Sequence, residues 1–426
     1  MPFAEQETLE APGGRLHAQA AARRHRHYTF GFWAATLAFV VNMALIAVPT
    51  PLYVLYQQRD HFSTIMLTVV YAVYAAGVIF SLFLGGHLSD WLGRKRVYVP
   101  ALLLNAASAV IFLAAPTLPG LFAGRIVSGV AVGLATGTVT AYLAELHAGR
   151  PAGAGSPQRP QVVVAAANIG GIAIGPLISG LLATFAPQPL RLPYLVFLIA
   201  LLVLTALVAL SPETVITAAE RPRYRPQRVA VPPQARRTFF AATATGLAAF
   251  AVYGIFNSLA PSFLAVTLHQ DSHAVAGAVA FAVFAAGAGI QVAMSRAGLR
   301  ATLRVAPLIL IPGLALLAIG MWLAILPLFI TGGTVVGAGA ALAFRGGLSA
   351  AASSAPPQAR AEVLSGFFLG TYIGLSVPAV ILGIATQYVS PRSAMLVFSV
   401  IVAVAVLLCT SVLRSRRPRH RATAAP

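Results

Sequence analysis

The chain has 426 residues, of which 58% are hydrophobic and 9% charged, and its 29 Lys and Arg against 10 Asp and Glu give a formal net charge of +19. So little polar surface excludes a soluble globule of this size, and lipid is the solvent the composition demands. The arginines sit in short segments between apolar runs rather than across one folded polar face, which speaks against nucleic acid as a partner. The single cysteine, Cys409, lies in the last apolar run, so neither a disulfide within the chain nor a thiol metal site is expected.

In chain order, residues 1–28 are polar and basic, with Arg15, Arg23, Arg24 and Arg26 and no apolar core of a cleavable signal peptide, and read as a tail. A spanning helix needs about 20 mostly apolar residues. That criterion places spans at 29–56, 64–87, 97–116, 119–146, 161–186 and 192–211, then at 238–266, 273–295, 303–321, 324–346, 360–388 and 393–413. Between the two sets, 212–237 is rich in proline and arginine and reads as a linker, and 414–426 is a basic tail. The chain therefore divides into a first six-helix bundle, 29–211, and a second, 238–413.

The Lys and Arg residues fall on one side of this arrangement, apart from Arg59, Arg191 and Arg392 on the other and Arg125 and Arg345 inside spans. That asymmetry marks the basic side as cytoplasmic and places both termini there. An internal repeat supports the halving: YAVYAAG at Tyr71–Gly77 returns as FAVFAAG at Phe281–Gly287, and the same offset carries Pro51 onto Pro261. The expected fold is an all-α membrane protein of about twelve transmembrane helices in two pseudo-symmetric bundles, with a substrate site near the midplane where the halves meet.

After the second span the sequence runs Gly86-His-Leu-Ser-Asp90-Trp-Leu-Gly93-Arg94-Lys95-Arg96. The glycines permit a tight turn and close helix approach, Asp90 suits a helix N-terminus, and the arginines suit neighbouring carboxylates. A plain basic turn would account for the arginines alone. The segment resembles the loop signature G-x-x-x-D-R-x-G-R-[RK]-[RK] of the major facilitator superfamily, with Trp91 in place of the first arginine. Glu145 in Tyr142-Leu-Ala-Glu145 and Glu213 in Pro212-Glu213-Thr214 resemble elements of its sugar porters. The resemblance implies a conformational latch of Gly86, Asp90, Gly93, Arg94, Arg96, Glu145 and Glu213, closed in the outward-open state and broken in the inward-open state.

Further on, Arg125-x-x-x-Gly129-x-x-x-Gly133 in the fourth span is similar to another element of the superfamily. Its glycines form a smooth packing face. An arginine inside a span either faces the bundle interior or snorkels to the interface, and Arg125 is the first intramembrane functional candidate. Gly171, Gly175, Pro176 and Gly180 in the fifth span resemble an element of drug and proton antiporters, with Ser179 departing from it, and Pro378 has the same character in the second half. Packing and bending are the roles these residues imply.

Every Asp, Glu and His falls in a tail or near a span end, which leaves Asp60 and Asp271 as candidate proton sites at corresponding outer ends. The polar residues at depth include Asn42, Asn105, Asn168, Asn257, Gln291, Tyr71, Tyr74 and Tyr372; Asn42, Tyr53, Phe256 and Asn257 are candidate cavity-lining residues. No cluster at depth suits an enzyme or a metal, no GxxxxGK[ST] loop suits ATP, and no cofactor is expected. The resemblance implies a secondary active transporter in a bacterial inner membrane, working by alternating access and exporting a small amphipathic organic compound against protons. Uptake of a sugar or other metabolite is the alternative, and a non-transporting receptor or scaffold is the alternative of another class.

Overall fold

The computed structural model describes residues 12–85, 88–149, 159–215, 230–356 and 359–415, with side chains from residue 23 onward except residue 361. Among these residues the chain forms fifteen α-helices and no strand. The first half holds α1 (Pro12–Ala47), α2 (Tyr53–Asp60), α3 (Thr64–Gly85), α4 (Leu88–Leu92), α5 (Arg94–Ala114), α6 (Leu118–Ala148), α7 (Arg159–Phe185) and α8 (Leu192–Ala209). The second holds α9 (Arg236–Ser258), α10 (Ala260–Thr267), α11 (His273–Ala293), α12 (Leu299–Leu323), α13 (Leu326–Ser354), α14 (Arg360–Ala385) and α15 (Pro391–Arg414). Twelve of these are long and apolar enough to cross a bilayer, all but the short α2, α4 and α10. That is the number of spans read from the sequence.

The run read as a first span over 29–56 is two helices. Pro49 and Pro51 carry no N–H for an α-helical ladder, so α1 stops at Ala47 and the chain turns through residues 48–52 into α2. At the corresponding point of the second half, 238–266 divides into α9 and α10, with Pro261 in the first turn of α10. The order long helix, proline, short helix, long helix thus recurs in both halves, as the sequence repeat requires. At the start of the chain α1 reaches back to Pro12, into the stretch read as a tail. Residues 1–11, 150–158, 216–229 and 416–426, hence most of the linker and of the second tail, lie outside the described residues.

Inside each half, small residues let helix backbones touch, which replaces the hydrophobic drive that is absent between helices in lipid. Gly129 of α6 sits against the Tyr74 carbonyl and Gly77 of α3, and Gly133 against Ser81. A Cβ on Gly171 of α7 would stand 2.5 Å from the Val40 carbonyl of α1, and Gly175 meets the Ala44 carbonyl one turn on. In the second half Gly374 of α14 abuts the Leu247 carbonyl of α9, one turn before Pro378. The glycines of these elements are thus packing residues.

The halves meet along two seams, α7 on α11 and α3 on α14. Gly180 and Gly277 bring the first pair into backbone contact, Gly277 against the Pro176 carbonyl and Gly180 against that of His273, and Gly383 of α14 rests on Thr68 of α3. Hydrogen bonds between the described residues of the two halves include Thr50 Oγ1 to Asn257 Oδ1 at 3.2 Å, Ser262 Oγ to Gln57 Oε1 at 3.4 Å, and Ala274 N to Thr184 Oγ1 at 2.9 Å. The last two, with the Gly180–Gly277 contact, lie at the end away from the arginine-rich loops.

Candidate functional site

At the arginine-rich end, α4, α5, α6 and the end of α8 are tied by one polar cluster. Gly93 adopts φ +109°, a conformation that side chains rarely take, and a Cβ there would stand 2.7 Å from Glu213 Oε2. The space lets the Glu213 carboxylate accept the backbone N–H groups of Arg94 at 2.8 Å, Lys95 at 3.1 Å and Arg96 at 3.4 Å. It thereby caps the positive end of α5, while Asp90 lies in the first turn of α4. From there Asp90 pairs with the Arg94 guanidinium, which also reaches Ser89 Oγ at 2.9 Å and Glu145 Oε1 at 2.8 Å. Thr214 Oγ1 donates to the other oxygen of Glu145 at 2.5 Å. Lys95, which the sequence reading did not single out, donates to the Ala209 and Ser211 carbonyls at the end of α8. Arg96 enters through its backbone alone, its side chain being exposed, and Gly86 lies outside the described residues.

The second polar feature is Arg125 on α6, 1% exposed and thus no snorkelling residue. Its Nη1 donates to the Ile46 carbonyl at the end of α1 at 2.5 Å and its Nη2 to the Tyr53 hydroxyl. The break between α1 and α2 is what sets both acceptors in place: it frees a terminal carbonyl and turns Tyr53 inward. The rings of Tyr53, Tyr71 and Tyr74 lie 5.6, 5.9 and 5.9 Å from the guanidinium carbon, distances at which a ring face attracts a cation. Among the described residues Nε has no hydrogen-bond partner.

Arg125 lines a cavity of about 220 Å³ between the halves. The first half contributes Met43, Tyr71, Tyr74, Asn168 and Ile172, and the second Phe250, Tyr253, Asn257, Phe284, Gln291, Phe344 and Tyr372. A wider cavity of about 820 Å³ shares Ala165, Ile169 and Gln291 with it and continues past Gln161, Ser295, Arg296 and Arg345 to the arginine-rich end. Arg345 donates to the Met294 carbonyl at 2.6 Å and the Ser295 carbonyl at 2.8 Å, so it caps the C-terminal end of α11 at this mouth. The space between the halves therefore opens at the basic end and is closed by the glycine seam at the other.

Of the four residues expected to line the cavity, Asn257 does so and Tyr53 stands behind Arg125. Asn42 is fully buried and its side-chain oxygen accepts from Asn105 Nδ2 at 2.8 Å, which joins α1 to α5. Phe256 packs on Phe329 in the core of the second half. The latch also differs from its expectation: the cluster is formed while the basic end is open. The partners named above belong to the first half or, as Glu213 and Thr214, to the residues just after α8, so rocking one half against the other does not separate them. At the outer end, Asp60 is held by Arg59 through bonds of 2.7 and 2.6 Å, and Asp271 is exposed.

Two six-helix halves around a central cavity, open at one end and sealed at the other, define a polytopic membrane carrier. The sequence profile of the Major Facilitator Superfamily matches residues 32–324, and the chain belongs to that superfamily as a transporter. Among solved structures, the nucleoside transporter NupG has a TM-score of 0.65 at 14% identity, covering 90% of this chain and 98% of that one. A bacterial homologue of the human lysosomal transporter Spinster, in an inward-facing and unoccupied conformation, gives 0.64 at 13%, covering 91% and 98%. These likenesses are of fold. Among curated proteins, the D-xylose-proton symporter-like 2 of Arabidopsis thaliana is 33% identical over 107 residues, 24% of this chain and 20% of that protein. The probable polyol transporter 4 of the same plant is 26% identical over 140 residues, 32% of this chain and 27% of that protein. The matches thus span about a fifth to a quarter of those relatives' length.

Proposed function

We propose that the chain is a secondary active carrier that works by alternating access and exports a small amphipathic organic compound from its arginine-rich, cytoplasmic side. The observation that supports this reading most is the aromatic chamber beside Arg125, continuous with a mouth at the basic end and shut at the other. A compound from the basic side enters between α7 and α11, settles against the rings of both halves, and leaves when the seam at Gly180 and Gly277 parts and the mouth closes. The apolar lining with a few Asn and Gln suits an amphipathic body. The antiporter-like element of α7 favours protons as the counter-ion. Asp271 is the carboxylate better suited to carry them, because Asp60 is bound by Arg59. The test is proton movement in everted vesicles with an acid interior, as cationic, neutral and anionic amphiphiles and sugars are added. Compound-triggered proton release supports antiport; labelled-compound accumulation without proton movement contradicts the coupling and leaves export standing.

A second reading, uptake of a sugar or polyol, is favoured by the names of the two curated relatives. It predicts that sugars rather than amphiphiles move in the same vesicles.

A further inference from the structure

We infer that the ligand of the central chamber is a small organic anion, a carboxylate or phosphate monoester on an apolar or aromatic body, with Arg125 as the group that receives its charge. This names the substrate class of the export reading and rests on it for the route. Arg125 brings a full positive charge to the cavity wall at 1% exposure. A guanidinium carries five N–H donors and stays charged at any physiological pH. The Ile46 carbonyl and the Tyr53 hydroxyl are neutral acceptors, and Nε has none. The three tyrosine faces attract the charge without cancelling it.

Nothing on the cavity walls cancels it either. The acidic residues among the described ones are Asp60, Asp90, Glu145, Glu213, Asp271 and Glu362, and none of them lines the chamber or the mouth. The repeat offset that carries Tyr71 onto Phe281 carries Arg125 onto Val335, so the charge is present in one half alone. A buried cation without a counter-charge is costly, and an intramembrane arginine facing a cavity marks a substrate or ion path, where an anion would supply the missing charge. The approach has the same sign, since Arg296 and Arg345 flank the mouth and a positive cleft with apolar walls concentrates anions. The rest of the chamber, with Ile172, Phe250, Phe284 and Phe344, accepts an apolar body. A cationic compound would meet repulsion there, and a polyol would leave the guanidinium uncompensated.

The class of ligand also bears on coupling. A membrane potential negative inside drives an anion outward, so export of an anion proceeds without a proton-carrying carboxylate at membrane depth.

The test uses three probes of one shape on the purified full chain: naphthoate, naphthamide and naphthylmethylammonium, with binding read by calorimetry and thermal shift. Naphthoate is expected to bind about tenfold or more tightly than either of the others. Arg125→Lys is expected to weaken that preference and Arg125→Gln to abolish it. Equal binding of the three, a preference for the ammonium, or no naphthoate binding at millimolar concentration overturns the inference, as does a preference that persists in Arg125→Gln. Should that variant fail to fold, the comparison on the unmodified protein decides alone. Anion-selective binding without export of naphthoate in everted vesicles refutes the export reading and leaves this inference standing; export of the ammonium probe with no anion preference does the reverse.

Discussion

Glu213 accepts the backbone N–H of Arg94 at 2.8 Å, and the glycine before that arginine leaves the room for it. A residue from the end of α8 thus caps α5. Removing the cap in Glu213→Ala is expected to cost about 0.5–2 kcal/mol. Gly93→Ala, which adds a strained φ and a clash with the carboxylate, is expected to cost about 1–3 kcal/mol. Thermal unfolding of the purified variants checks both, and a Gly93→Ala protein as stable as the parent would contradict the geometry.

Because Arg94, Glu145 and Glu213 bind within one half, weakening them is expected to loosen that half without moving the other. Glu145→Gln lowers the melting temperature, while the rate at which a thiol reagent labels Gln161→Cys at the mouth, in a Cys409→Ala background, stays at the parent value. Labelling accelerated several-fold would show instead that the cluster gates the basic end.

Tyr53→Phe removes one of the two acceptors of the Arg125 guanidinium. Leaving a charged donor short inside the bundle costs about 1–3 kcal/mol. The variant is expected to melt earlier and to bind ligand more weakly, where Tyr56→Phe, whose hydroxyl meets Tyr194 at 3.3 Å, affects stability alone. Calorimetric titration of both variants with one ligand separates the two effects.

The Arg59 guanidinium bonded to Asp60 holds that carboxyl below the usual carboxylate range. Since the folded pKa is the lower one, the pair's contribution is present above the unfolded value of about 3.9 and is lost as pH falls through the folded value. Asp60 therefore stays ionised between about pH 5 and pH 8, and Asp60→Asn is expected to leave the pH profile of transport in that window unchanged. A profile displaced by the substitution would assign Asp60 the proton.

The twelve spans were legible because apolar length is nearly all that a bilayer requires of a helix. The pairing of Asp90 and Arg94 with Glu145, and the place of Glu213 beside them, were suggested by the resemblance and by how few acids the chain has to pair. The rest was hidden for a physical reason: helices apolar all round have no polar face to mark which side meets a neighbour. The sequence therefore offered no means of telling Phe256, packed in the core, from Phe250, one wall of the chamber, or of seeing Asn42 turned to Asn105. The end of α1 at Ala47 was hidden in a continuous apolar run, although Pro49 and Pro51 were the signal for it. That break is also what gives Arg125 its acceptors, so the site's centre became legible only with the fold.

The claim that the two halves alternate about the chamber is tested most directly by locking the closed end. Thr184→Cys and Ala274→Cys, at positions joined by a 2.9 Å hydrogen bond across the seam, are introduced into a Cys409→Ala background. Accumulation of a labelled amphiphile is then followed in everted vesicles. Accumulation that stops on oxidation and returns on reduction is the result this account predicts. Accumulation that continues with the seam cross-linked would contradict it.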